Sequence, residues 1–125
     1  MRFAKIVFWS AGIWGVLALT PLYFMLDTVG LQSPPPVTHP EFYFGFLCVA
    51  LTWQFAFMVI AIEPARYRPI MIPAIIEKLS YVITMVALYL QKRVVSSQLI
   101  FDTSDLILGL LFVVAFFKTS TISSA

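Results

Sequence analysis

Apolar residues run along this chain in long blocks instead of the alternating or three-to-four spacing of a soluble domain. Ile6 to Leu26 and Phe42 to Ile62 contain no Lys, Arg, Asp, Glu or His. Ile70 to Leu90 is interrupted only by Glu77 and Lys78. Leu106 to Phe117 is strictly apolar, and Lys118 to Ile122 extends it. A helix needs about 20 predominantly apolar residues to cross the hydrocarbon core. The pattern therefore predicts four spans, at approximately 6–26, 42–62, 70–90 and 104–121. The expected fold is all-α: a polytopic membrane protein, an antiparallel four-transmembrane-helix bundle, in a single membrane domain over residues 1–125. Arg2 and Lys5 precede the first block as in a signal peptide. The block is longer than the usual apolar region of about 7–15 residues and no A-x-A site follows, so it reads as a retained helix.

The connections are short. Asp27 to Glu41 carries Pro34-Pro35-Pro36 and reads as a stiff extended loop. Glu63 to Pro69 (EPARYRP) is a tight turn, and Gln91 to Asp105 joins spans three and four. Glu41 and Asp105 are expected at the N-terminal ends of spans two and four. Thr38 or His39, and Thr103 or Ser104, are candidate caps there. Small residues that allow close helix contact in lipid are Ala11, Gly15 and Ala18; Cys48, Thr52 and Ala56; and Gly109 and Ala115. Phe3, Phe8, Trp9, Phe42, Tyr43 and Phe44 lie near span ends and read as interface aromatics.

Composition agrees with the blocks. Hydrophobic residues make up 61% and charged residues 11% of the 125, with a mean hydropathy of +0.95. A soluble domain carries about 25% charged residues. The net charge of +2 gives no basis for nucleic-acid binding. One cysteine, Cys48, excludes a CxxC redox pair, and one histidine, His39, cannot supply two haem ligands. No cofactor and no metal site is expected. His39, Glu41 and Asp27 read as a solvated loop with a helix cap, since their spacing is not that of a metal site.

Arg2, Lys5, Arg66, Arg68 and Lys118 fall on one side of an alternating four-helix path, against Lys92 and Arg93 on the other. That asymmetry places both termini in the cytoplasm. Lys92 and Arg93 suit the negative end of the third helix dipole. Arg66 and Arg68 read as inward-side anchors, with contact to an anionic lipid headgroup as the alternative.

The chemistry concentrates in span three. An ionisable residue inside a span costs about 2.5–3.5 kcal/mol on insertion scales and is a functional hypothesis by default. Glu77 and Lys78 lie about 12 Å inside the span. Glu77, Ser80, Tyr81 and Thr84 share one helix face and form a polar stripe that should face protein. Lys78 points about 100° away, so it is not expected to pair with Glu77. The short turn makes spans two and three neighbours, which puts Gln54 level with Glu77 and Trp53 level with Lys78, in reach of a cation–π contact. Trp14 and Gly109 reach the same layer by the same count. Arg66 or Arg68 could fold back onto Glu77, and Lys78 could snorkel to the headgroups. The candidate ligand-binding set is thus Glu77, Gln54, Ser80, Tyr81, Thr84 and Lys78. It reads either as a hydrogen-bonded network joining helices or as a ligand or proton site.

The stretch EFYFGF…TWQFAF…IEPARYRPIMIPAIIEKLSY…LYLQKR, from Glu41 to Arg93, resembles small uncharacterised four-helix bacterial inner-membrane proteins loosely similar to the DoxX-like group. The resemblance implies a multi-pass inner-membrane location and carries no catalytic motif. No nucleophile–base pair, metal cluster or nucleotide motif is present, so no catalytic residue and no enzyme are expected. The leading expectation is a non-enzymatic accessory or structural subunit, or a homo-oligomer, whose partners are the lipid bilayer and other membrane subunits or itself. The alternative is a protein that handles a small apolar ligand or a proton through an intramembrane carboxyl site at Glu77.

Overall fold

The computed structural model describes residues 2–32, 38–94 and 96–123. The triple proline at 34–36, read as a stiff loop, lies outside the described residues. Helices α1 (Arg2–Leu19), α2 (Leu26–Gln32), α3 (Pro40–Ile62), α4 (Met71–Leu90) and α5 (Ser96–Ser123) follow one another, with no strand among the described residues. Three segments are long and apolar enough to cross a membrane: Arg2–Phe24, Pro40–Ile62 and Arg68–Leu90. The protein is membrane-embedded.

Boundaries follow local chemistry. Pro21 has no backbone N–H and cannot continue α1. The chain tightens into a 3-10 turn, Thr20–Phe24, and the Leu22 carbonyl accepts both the Met25 N–H at 3.3 Å and the Tyr43 hydroxyl at 2.7 Å. Pro40 opens α3 at its first turn, where the missing N–H costs nothing, and His39 caps it without a side-chain bond. Arg68–Ile70 forms a 3-10 lead into α4. At the far end of α4, Lys92 takes the left-handed conformation at φ 61°. Arg93 N–H then bonds Leu88 O at 2.8 Å and Lys92 N–H bonds Tyr89 O at 2.9 Å, the Schellman closure.

Two expected loops contain helix. α2, Leu26–Gln32, begins at the last residue read as span one and takes up the start of the connector read from Asp27. The last helix starts at Ser96, not near residue 104, and runs for 28 residues, about 42 Å at 1.5 Å per residue. Thr103 is therefore inside α5, not its cap, and its hydroxyl donates back to Leu99 O at 3.0 Å. Asp105 is likewise interior instead of terminal.

The four long helices form a ring in the order α1, α3, α4, α5, with sequence neighbours antiparallel. α1 packs along α3, α4 along α5, and α5 against α1. The core lies where Phe8, Phe57 and Phe112 meet. Phe8 stacks on Phe112 at 4.3 Å between ring centroids, and Phe57 meets Phe112 edge-on at 4.9 Å. Ala4, Ala11, Ile60, Met71, Ala74 and Ala115 complete it. Phe8, expected as an interface aromatic, is wholly buried, because its ring fills the space that Ala4, Ala11 and Ala115 leave.

Lipid gives no hydrophobic drive between helices, so close packing has to come from small residues and shape. Gly12 and Gly15 of α1 supply it. A Cβ on Gly12 would stand 2.8 Å from Gln54 O and 2.7 Å from Met58 Cγ, and a Cβ on Gly15 would overlap the Gln54 side chain. On α3 the contact face is Leu47, Ala50, Gln54, Phe57 and Ala61. The small stripe Cys48, Thr52 and Ala56 is not that face: Cys48 and Thr52 are exposed, as is Ala18 on α1. The Cys48 sulfur accepts from the Tyr23 hydroxyl at 3.4 Å.

Candidate functional site

α3 and α4 are joined by a short turn, yet above that turn they scarcely touch. Their connection holds them together at one end, where Met71 and Ala74 join the core. Towards the other end they splay. The space between them is an open cleft of about 490 Å³ lined by Gly45, Phe46, Val49, Ala50 and Trp53 of α3 and Glu77, Ser80, Tyr81 and Thr84 of α4. Phe46 and Tyr81 stack across it at 6.2 Å. The lining runs from Gly45 to Trp53 on α3 and from Glu77 to Thr84 on α4, about two helical turns on each wall, so the cleft is about 10–12 Å long.

The α4 stripe expected from helical spacing is thus brought together on one wall. Ser80 and Thr84 are exposed to the cleft, and Glu77 and Tyr81 are half-buried. The Ser80 hydroxyl reaches the Glu77 carbonyl only at 3.5 Å, a weak contact that leaves it available.

Glu77 brings charge to the cleft wall, and Lys78 and Asp105 lie behind it. Lys78 Nζ donates to Asp105 Oδ1 at 2.9 Å and stands 3.9 Å from Glu77 Oε2. It also lies 5.3 Å from the centre of the Phe57 ring. Only 6% of the Lys78 side chain is exposed, against 25% of Glu77 and 27% of Asp105. Glu77 Oε2 is itself buried and receives no hydrogen bond among the described residues. Gly109, one turn after Asp105, makes room: a Cβ there would stand 3.2 Å from Lys78 Cβ and 2.8 Å from Leu79 Cδ2.

Several expectations are corrected by this arrangement. Gln54 does not face Glu77. It turns to α1, where Gly15 leaves room for it, donates to Ala50 O at 2.8 Å and leaves its Oε1 buried and unpartnered among the described residues. Lys78 does not snorkel, and it does approach Glu77, because its long stem bends the ammonium back between the two carboxylates. The ring beneath it is Phe57, one turn from Trp53. Neither arginine folds onto Glu77: Arg66 pairs with Glu63 at 3.5 Å, and Arg68 donates from Nε to Phe116 O at 3.0 Å over the Phe116 ring. Trp14 is exposed on the outside of α1, away from the polar layer.

Asp105 and the buried Asp102 were not among the expected site residues. The signal lay in their spacing with Gly109 and Phe112, which places all four on one helical face. It was hidden by reading QLIFDTSD as loop. Three His, Cys, Asp or Glu side chains converge nowhere among the described residues in a way that could hold a metal. No family model, curated protein or solved structure matches this chain, so nothing there bears on the DoxX-like resemblance.

Proposed function

We propose that this chain is a non-enzymatic four-span protein of a bacterial inner membrane, with α5 as the fourth span and both termini cytoplasmic, whose cleft between α3 and α4 holds one small amphipathic molecule drawn from the bilayer. The observation that carries this reading is the cleft itself, with a volume of about 490 Å³ and a polar stripe on one wall. Small-molecule sites have volumes of about 300–1,000 Å³, mostly apolar walls and a few placed polar groups. The cleft is about two helical turns long, whereas a partner helix in a membrane packs along most of its span. Its size therefore favours a ligand over a subunit. The reading as an accessory subunit or homo-oligomer rests on exposed apolar faces, which every lipid-facing helix has.

Trp53 lines the cleft and reports on its content. In a Trp9→Phe, Trp14→Phe background reconstituted in nanodiscs, added 1-decanol should change Trp53 fluorescence saturably. Gly45→Leu, which places a side chain in open space at the cleft wall, should abolish the change. A response that rises linearly with decanol and is the same in Gly45→Leu would mean bulk partitioning and would remove the proposal.

A further inference from the structure

We infer that the cleft selects amphiphiles with a positively charged head, which Glu77 receives. The inference rests on the cleft being a ligand site and adds the charge of the ligand.

Charge and geometry behind the cleft wall favour a cation. Three ionisable groups meet there: Glu77, Lys78 and Asp105. Asp105 holds the Lys78 ammonium in a direct hydrogen bond at 2.9 Å. Glu77 is left at 3.9 Å, beyond hydrogen-bonding range. The ammonium thus gives its hydrogen bond to the carboxylate on the far side and stays at ion-pair distance from Glu77, whose Oε2, turned to Lys78, receives no hydrogen bond among the described residues. Two acids thus share one cation, and of the two only Glu77 lines the cleft.

The surroundings decide what can meet that charge. Among the described residues, none of the others lining the cleft is basic. Arg66 and Arg68 are held elsewhere by Glu63 and by the end of α5. A partly buried carboxylate gains from a cationic donor brought within hydrogen-bonding range. A primary ammonium offers three donors and a full charge to Glu77, with Ser80 and Thr84 hydroxyls next along the wall to accept the remaining hydrogens. Trp53, Phe46 and Tyr81 line the path above, and aromatic faces attract cations. An anionic head meets the opposite: a like charge at Glu77 with no counter-cation free to move. A neutral alcohol gains a hydrogen bond but no charge pairing. The order of preference is therefore ammonium, then alcohol, then carboxylate. The apolar remainder of the cleft fits one short tail.

Three ten-carbon probes separate the cases: decylammonium, 1-decanol and decanoate, compared at equal mole fraction in the bilayer by the Trp53 signal. Decylammonium should bind at least about tenfold more tightly than 1-decanol, and decanoate more weakly than either, given the strength of a charge pair near 4 Å in a partly buried site. Glu77→Gln should bring decylammonium down to the level of 1-decanol and leave 1-decanol binding in place. Asp105→Asn should do the same with Glu77 intact, because Lys78 then turns to Glu77 and cancels the excess charge. That second variant separates a charge balance from a mere need for a carboxylate at position 77. Equal binding of the three probes, a preference for decanoate, or an ammonium preference that survives in both variants would overturn the inference while leaving the cleft as a ligand site. If none of the three binds saturably, the ligand-site reading falls as well.

Discussion

α3 has two faces that meet the protein in opposite ways. Towards α1 it is sealed: Gly12 and Gly15 bring the backbones so close that a single added carbon would overlap Gln54 or Met58. Towards α4 it stands off. Gly45 on that side has nothing within 4 Å of an added carbon, and Phe46 and Tyr81 span the gap as a stacked pair. The same residue type closes one seam and widens the other. A glycine permits approach only where the partner presents a knob to fill the notch. Gln54 and Met58 are such knobs, whereas the α4 wall at this level offers the short Ser80 and Thr84. In lipid nothing else pulls the helices together, so the unfilled side remains a cleft.

Three substitutions probe that contrast, in decreasing order of effect. Lys78→Met removes the cation between two carboxylates at the base of the cleft. It should cost about 3–5 kcal/mol, the penalty for breaking a buried pair, read as unfolding free energy in mixed micelles. A loss below about 1 kcal/mol would show that the two acids do not need the ammonium. Gly12→Val attacks the sealed seam, where the clash is partly with Gln54 backbone and cannot be relieved by a rotamer. A loss of about 1–3 kcal/mol is expected, seen as a lower midpoint of thermal unfolding by circular dichroism. Gly45→Leu is the matched change on the open seam. It should raise the same midpoint slightly, because replacing a mid-helix glycine recovers up to about 1 kcal/mol of helix propensity. Equal destabilisation by the two glycine variants would mean that the α3–α4 side is packed after all.

The stripe Glu77, Ser80, Tyr81 and Thr84 was legible because helical period is local: spacing alone puts these residues on one face. Their partners were not legible. Gln54 lies level with Glu77 along the bundle, but depth does not say which way a side chain turns, and the notch at Gly15 drew it to α1. Asp105 was obscured for a related reason. Hydropathy penalises a carboxylate in a span and so assigns it to a loop. The pairing with Lys78 that offsets the penalty appears only when two helices are placed side by side.

Read along the chain, hydropathy and helical period already make this a helical membrane protein, set the extent of its apolar blocks and gather polar chemistry on one face of the third block. These properties depend on transfer into lipid and on the helical repeat, which act within a segment. Only the packing of the helices shows that α3 seals against α1 and parts from α4, that Asp105 takes the Lys78 hydrogen bond while Glu77 stays at ion-pair distance, and that Phe8 lies in the core. Those outcomes turn on the fit of one helix surface to another, and single side chains a few ångströms long determine that fit.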